Sequence, residues 1–216
     1  MLLEALKSDL ERLYEIDVPL LLDDFLITDR EVIGRIAADP PADTQEALYL
    51  IEDGEHTGMA LYIDEAVVRR LAADDPRDAL HEGNLADFCV ALEGVSHFTY
   101  VAWRASHDRS VTQLELEMQA EVDKFATSTM LLGRQCAGRI PPDLARRLFG
   151  NVSFLPGLDA QSRERYERAN EYAGRFCEGL TRRHMRAPGS AAMTRELRRF
   201  YRLDQRQKIK HIETAL

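Results

Sequence analysis

Cysteine is scarce in this chain and unpaired. Cys89, Cys136 and Cys177 are widely spaced and odd in number, which excludes a disulfide framework and offers no Cys pair of metal-binding type. A reducing cytoplasm is the expected setting. Long apolar runs are missing too. None approaches the roughly 20 residues of a membrane span, so no membrane partner is expected. The opening MLLEALKSDLERLY carries acids inside its apolar pattern and has no basic lead, so no signal peptide is expected. Repeats and low-complexity tracts are absent.

Complete catalytic signatures are also lacking. Gly133 to Gly138 has the glycine spacing of a phosphate loop, but Arg139 and Ile140 stand where Lys and Ser/Thr are needed. Gly94 to Phe98 resembles a nucleophile turn without its second glycine. Cys89 sits among apolar residues, which makes it a core residue rather than a nucleophile. His184 and His211 fall in basic helical ends, where they complement helix C-termini.

What is present is charge, unevenly placed. The net charge of −9 over 216 residues conceals a split. Residues 1–100 hold 23 Asp+Glu against 7 Lys+Arg, and residues 101–216 hold 14 against 21. Halves of net −16 and +7 are expected to face each other or to meet a charged partner.

The pattern of elements predicts an α+β fold. A small, mostly antiparallel sheet with helices is expected in 1–108, and an all-helical basic half in 109–216 packs against it. The two can form one integrated domain. Residues 2–16 predict an amphipathic helix with Leu3, Leu6, Leu10 and Leu13 on one stripe. Thr28 with Glu31 predicts a second helix start, and Pro40-Pro41 its end. Ala47–Glu52 and Met59–Asp64 predict a hairpin, with Asp64 capping the next helix. The stretch Asn84 to Phe125 holds the single Trp and the densest apolar run. It predicts a helix from Asn84 capped by Gly94, then a strand from Ser96 to Ala105, then a helix begun by Ser110 and Gln113. Beyond it come a short helix ending at Gly150, a long one capped by Asp159 and broken at Ala187-Pro188-Gly189, and a last helical region from Ser190, interrupted near Asp204.

Two groups of residues carry candidate chemistry. The first is an arginine row. Arg195, Arg198, Arg199, Arg202 and Arg206 fall on one helical face at a period near 3.6. Their guanidinium forks suit nucleic acid or another polyanion, and Tyr201 adds a stacking surface. The plainer alternative docks the row on the acidic half, in the same chain or a neighbour, or leaves it solvated. The second group is Glu93, His97, Glu117, Glu121 and Asp123. Glu117 and Glu121 are four apart on one helix, and with His97 they can hold a divalent metal that activates water. The plainer alternative pairs the carboxylates with Lys124 and leaves His97 as a structural hydrogen-bonder.

The expected function is a non-enzymatic interaction or regulatory protein, a homo-oligomer using acidic and basic surfaces, with no cofactor and with a protein or itself as partner. The alternatives are a metal-dependent hydrolase holding a divalent metal, or a nucleic-acid binder.

Overall fold

The structure is a computed structural model that describes residues 1–36, 43–53, 56–150, 159–184 and 190–214. The breaks read at Pro40-Pro41 and Ala187-Pro188-Gly189 lie outside these residues. Helix α1 (Leu2–Tyr14) buries Leu3, Leu6, Leu10 and Leu13 on one stripe. A 3-10 turn (Leu22–Asp24) leads to the two-residue strand β1 (Leu26–Ile27) and helix α2 (Arg30–Ile36). The hairpin follows as β2 (Glu46–Asp53) and β3 (His56–Ile63). They pair antiparallel from Glu46 opposite Ile63. β1 adds to the other edge of β3 in parallel, Leu26 opposite Leu61. The result is a mixed α+β chain with, among the described residues, one three-stranded sheet of order β1-β3-β2.

Among the described residues six further helices precede the last: α3 (Glu65–Ala73), α4 (Glu82–Ala105), α5 (Gln113–Gln135), α6 (Leu144–Phe149), α7 (Ala160–His184) and α8 (Ala191–Tyr201). The last is α9 (Gln205–Thr214). Their starts follow from capping chemistry. The side chains of Asp64, Thr112 and Ser190 accept from Ala66, Glu115 and Met193 N–H groups, and Asp159 accepts from Ser162. The cap of α5 is thus Thr112, two residues past the expected Ser110. At α2, Asp29 rather than Thr28 accepts from the Glu31 N–H.

The main correction concerns 82–105. There is no strand at Ser96–Ala105 and no helix end at Gly94. One 24-residue helix, α4, runs through both. It opens at His81, whose N–H donates to Asn84 Oδ1 at 2.9 Å while its ring accepts from Gly83 N–H. The physical reason for the misreading is that α4 lies at the centre. α1, α3, α5, β2 and β3 all pack against it, and Phe88, Leu92, Val95, Phe98, Tyr100 and Trp103 are all buried. A helix covered all round shows apolar residues at every parity, as does a strand covered on both faces. Gly94 is needed for approach rather than for a turn. A Cβ there would meet Leu61 Cδ1 at 3.0 Å and Glu46 Oε2 at 3.2 Å.

Residues 106–112 reverse the chain, so α5 returns along α4. α7 packs on α5 in turn, burying Ala169, Ala173, Phe176 and Leu180. Among the described residues no helix is long and apolar enough to cross a membrane.

Candidate functional site

Between α4, α5 and the start of β2 lies a cluster of buried charges. His97 is 5 % exposed. Its Nε2 is 3.5 Å from Glu117 Oε2 and its Nδ1 is 3.7 Å from Glu46 Oε2. Glu93 stands one helical turn before His97 on α4. One ligand atom from each of Glu93, His97 and Glu117 lies within 4.8 Å of the other two. Lys124 Nζ joins Glu93 Oε2 at 2.6 Å to Glu121 Oε1 at 2.7 Å. From α7, Arg165 Nε approaches Glu117 Oε1 at 4.0 Å.

The electrostatics follow from burial set against pairing. Burial alone would deprotonate His97, but the Glu117 and Glu46 carboxylates outweigh it and hold the imidazolium well above its ordinary range. Burial raises Glu46, with His97 offsetting only part of the rise. Burial opposes ionisation of Glu93 too, yet Lys124 wins and keeps its carboxyl below the usual value. Lys124, despite burial, is held protonated by Glu93 and Glu121. A proton on His97 therefore supplies positive charge that a cation in the same place would supply instead.

At 3.5 and 3.7 Å, the His97 contacts are too long for good hydrogen bonds, and both His97 Nε2 and Glu46 Oε2 are buried without a hydrogen-bond partner among the described residues. Two atoms each about 2.1 Å from one ion in a tetrahedral array stand about 3.4 Å apart. The Nε2–Glu117 separation is close to that edge, within a set of three ligand atoms that lie within 4.8 Å of one another. Glu46 faces the other imidazole nitrogen, Nδ1, at 3.7 Å.

The five residues of the expected acid group do not stay together. His97 and Glu117 face each other and Glu93 joins them, but Glu121 is tied to Lys124. Asp123 turns to a second buried network, accepting from Ser96 Oγ at 2.6 Å, Gln119 Nε2 at 2.8 Å and the Tyr14 hydroxyl. Glu46 and Arg165 were not legible as members. A Glu-x-x-x-His pair at 93 and 97 points to this site once residues 82–105 are read as helix.

The arginine row divides. Arg198 Nε donates to the Leu13 carbonyl at 2.7 Å and pairs with Glu15 at 2.5 Å. Arg202 donates to the Tyr14 carbonyl at 2.9 Å. Both therefore cap the C-terminus of α1, where the last carbonyls lack intrahelical donors. Arg195 and Arg199 face water on α8, and Arg206, on α9, is also exposed. Tyr201 is 1 % exposed and stacks on Tyr14 with centroids 3.9 Å apart, so it offers no face to a base. The double variant Arg198→Ala/Arg202→Ala is expected to lose about 1–3 kcal/mol, since buried carbonyls lose charged donors. Urea unfolding checks this, and a loss within about 0.5 kcal/mol would return both residues to the solvated surface.

The chain matches no family model, no curated protein and no solved structure.

Proposed function

We propose that this chain is a metal-dependent hydrolase that holds a divalent cation between α4 and α5 through Glu93, His97 and Glu117. The observation that carries the reading is the convergence of these three ligand atoms within 4.8 Å of one another, one of them on an imidazole whose Nε2 has no hydrogen-bond partner among the described residues. One imidazole and two carboxylates suit Zn²⁺, Mn²⁺ or Fe²⁺ better than Ca²⁺ or Mg²⁺. Three protein ligands leave a position for water, whose pKa a bound cation lowers towards neutrality. Lys124 supports the site by keeping Glu93 ionised. Glu46, 3.7 Å from Nδ1, would accept a hydrogen bond from Nδ1–H on closing that gap, leaving Nε2 to face the ion.

Calorimetric titration of chelator-treated protein with Zn²⁺ and Mn²⁺ is the test. One equivalent is expected to bind with release of the His97 proton. At a hundredfold excess over Kd, stability should rise by about 2.7 kcal/mol. His97→Ala and Glu117→Gln should lose this, and the bound form should cleave an activated ester or phosphodiester. Absence of stoichiometric binding, or binding that survives in His97→Ala, overturns the reading. Binding without cleavage removes only its hydrolytic part.

A second reading is a non-enzymatic interaction protein that meets an acidic partner or a second copy of itself. It rests on the exposed Arg195, Arg199 and Arg206. It predicts salt-dependent assembly in sedimentation, and a salt-indifferent monomer counts against it.

A further inference from the structure

Arg195 and Arg199, the members of the arginine row that stay on α8 and are not spent on α1, share a depression with other residues. Arg183 from the end of α7, Arg195, Glu196 and Arg199 from α8, and His211 from α9 line one open depression of about 500 Å³. Glu196 is already engaged: it accepts from Arg183 and lies 3.0 Å from His184 Nε2. It is the one carboxylate in the lining, and its charge is answered there. Arg195 and Arg199 stand one helical turn apart and have no hydrogen-bond or ion-pair partner among the described residues. His211 is set against the rings of Phe176 and Phe200, and its Nε2 is buried with no partner.

We infer that this depression binds the phosphoryl group of a small molecule, with Arg195 and Arg199 as charge-assisted donors and His211 Nε2–H as a third. Two unpaired guanidiniums a turn apart match a dianion with three acceptor oxygens. The lining holds three guanidiniums against the single carboxylate of Glu196, a balance that favours an anion; burial pulls the His211 imidazole below its ordinary value, with Arg199 adding to the effect, Glu196 opposing it and Arg183 adding again. A polymer backbone is a poorer fit. Nucleic acid needs the row in line, and Arg198 and Arg202 are committed to the end of α1. The depression is also separate from the α4–α5 cluster. Arg165 and Arg183 are five turns apart on α7, about 27 Å along the axis.

The experiment titrates the full chain with inorganic phosphate, phenyl phosphate and a single-stranded oligonucleotide. Chelator is present throughout, so that phosphate held by an ion between α4 and α5 is not scored. Binding is followed by calorimetry and by the His211 ring signals in NMR. The inference expects one saturable site for phosphate or phenyl phosphate and a shift of the His211 resonances. It expects affinity to be about tenfold or more weaker in Arg195→Ala/Arg199→Ala, the factor one charged hydrogen bond supplies, and unchanged in Arg206→Ala. Tighter phenyl phosphate identifies an ester as the source, and equal or tighter inorganic phosphate identifies the free ion; either supports the site. Thermal unfolding of the double variant checks that the fold is retained, since both side chains are exposed. No saturation at millimolar phosphate overturns the inference. So does undiminished binding in the folded double variant, or an oligonucleotide that outcompetes both small ligands.

Discussion

Asp123→Ala is expected to cost about 3–5 kcal/mol of unfolding free energy, the loss seen when one member of a buried charged network is removed and its partners stay. Asp123 is 0 % exposed. It takes hydrogen bonds from Ser96 on α4, Gln119 on α5 and Tyr14 on α1, so it ties three helices together. Lys208 extends the network, donating from a fully buried Nζ to Gln119 Oε1 at 2.5 Å and lying over the Tyr100 and Phe200 rings. Lys208→Met should cost less, because methionine fills similar volume and no charge is then held out of water.

The two residues also give the protein opposite pH dependences. Burial, only partly offset by Ser96, Tyr14 and Gln119, moves Asp123 from its ordinary 3.8 to about 6. The folded state then binds the extra proton, and stability falls as pH rises from about 4 through 6. Burial lowers Lys208 from 10.5 to about 7. There the unfolded state binds the extra proton, and stability falls as pH drops from about 10.5 through 7. Urea midpoints across pH should lose the acid slope in Asp123→Ala and the alkaline slope in Lys208→Met. A cost for Asp123→Ala below about 1 kcal/mol, one ordinary hydrogen bond, would show that the network does not hold these helices together.

Gly94→Val is expected to destabilise by about 3 kcal/mol, the upper part of the range for overpacked cores, while Gly94→Ala stays near neutral. Alanine gains about 1 kcal/mol in helix propensity, which offsets the push of one methyl on Leu61 Cδ1 at 3.0 Å. The Cβ itself also meets Glu46 Oε2 at 3.2 Å and Ile63 Cδ1 at 3.4 Å, and the two γ-methyls of valine add volume beside all three groups, none of which has room to spare. Moving Glu46 removes the carboxylate on His97 Nδ1, so the proposed metal affinity should fall about 10–100-fold with it. Denaturant midpoints and metal titration of both variants check the pair. A valine variant as stable as wild type would mean that the sheet does not rest on α4 at this point.

What could be read from the chain was local. Asp64, Asp159 and Ser190 announced three helix starts because a cap needs only its own first turn. The hairpin was visible because its alternation and turn residues are adjacent. α4 was hidden because its surroundings, not its own residues, make both its sides apolar. That error concealed the site as well, since Glu93 and His97 share a face only on a helix. Glu46 reaches the cluster from β2, a placement that no spacing encodes. The period of the arginine row was legible, but its division was not. Arg198 and Arg202 meet α1 from the far end of the chain. The backbone also turns between Tyr201 and Gln205, which puts Arg206 on another helix.

The enclosure of α4 has a kinetic consequence. Its amides are covered by α1, α3, α5 and the two long strands at once, so no single neighbour can lift away and expose them. Deuterium should enter the backbone of 88–103 only through opening of the whole molecule, giving protection equal to the global unfolding free energy. Peptides from α2, whose buried set is Ile33 alone, should take up label much earlier.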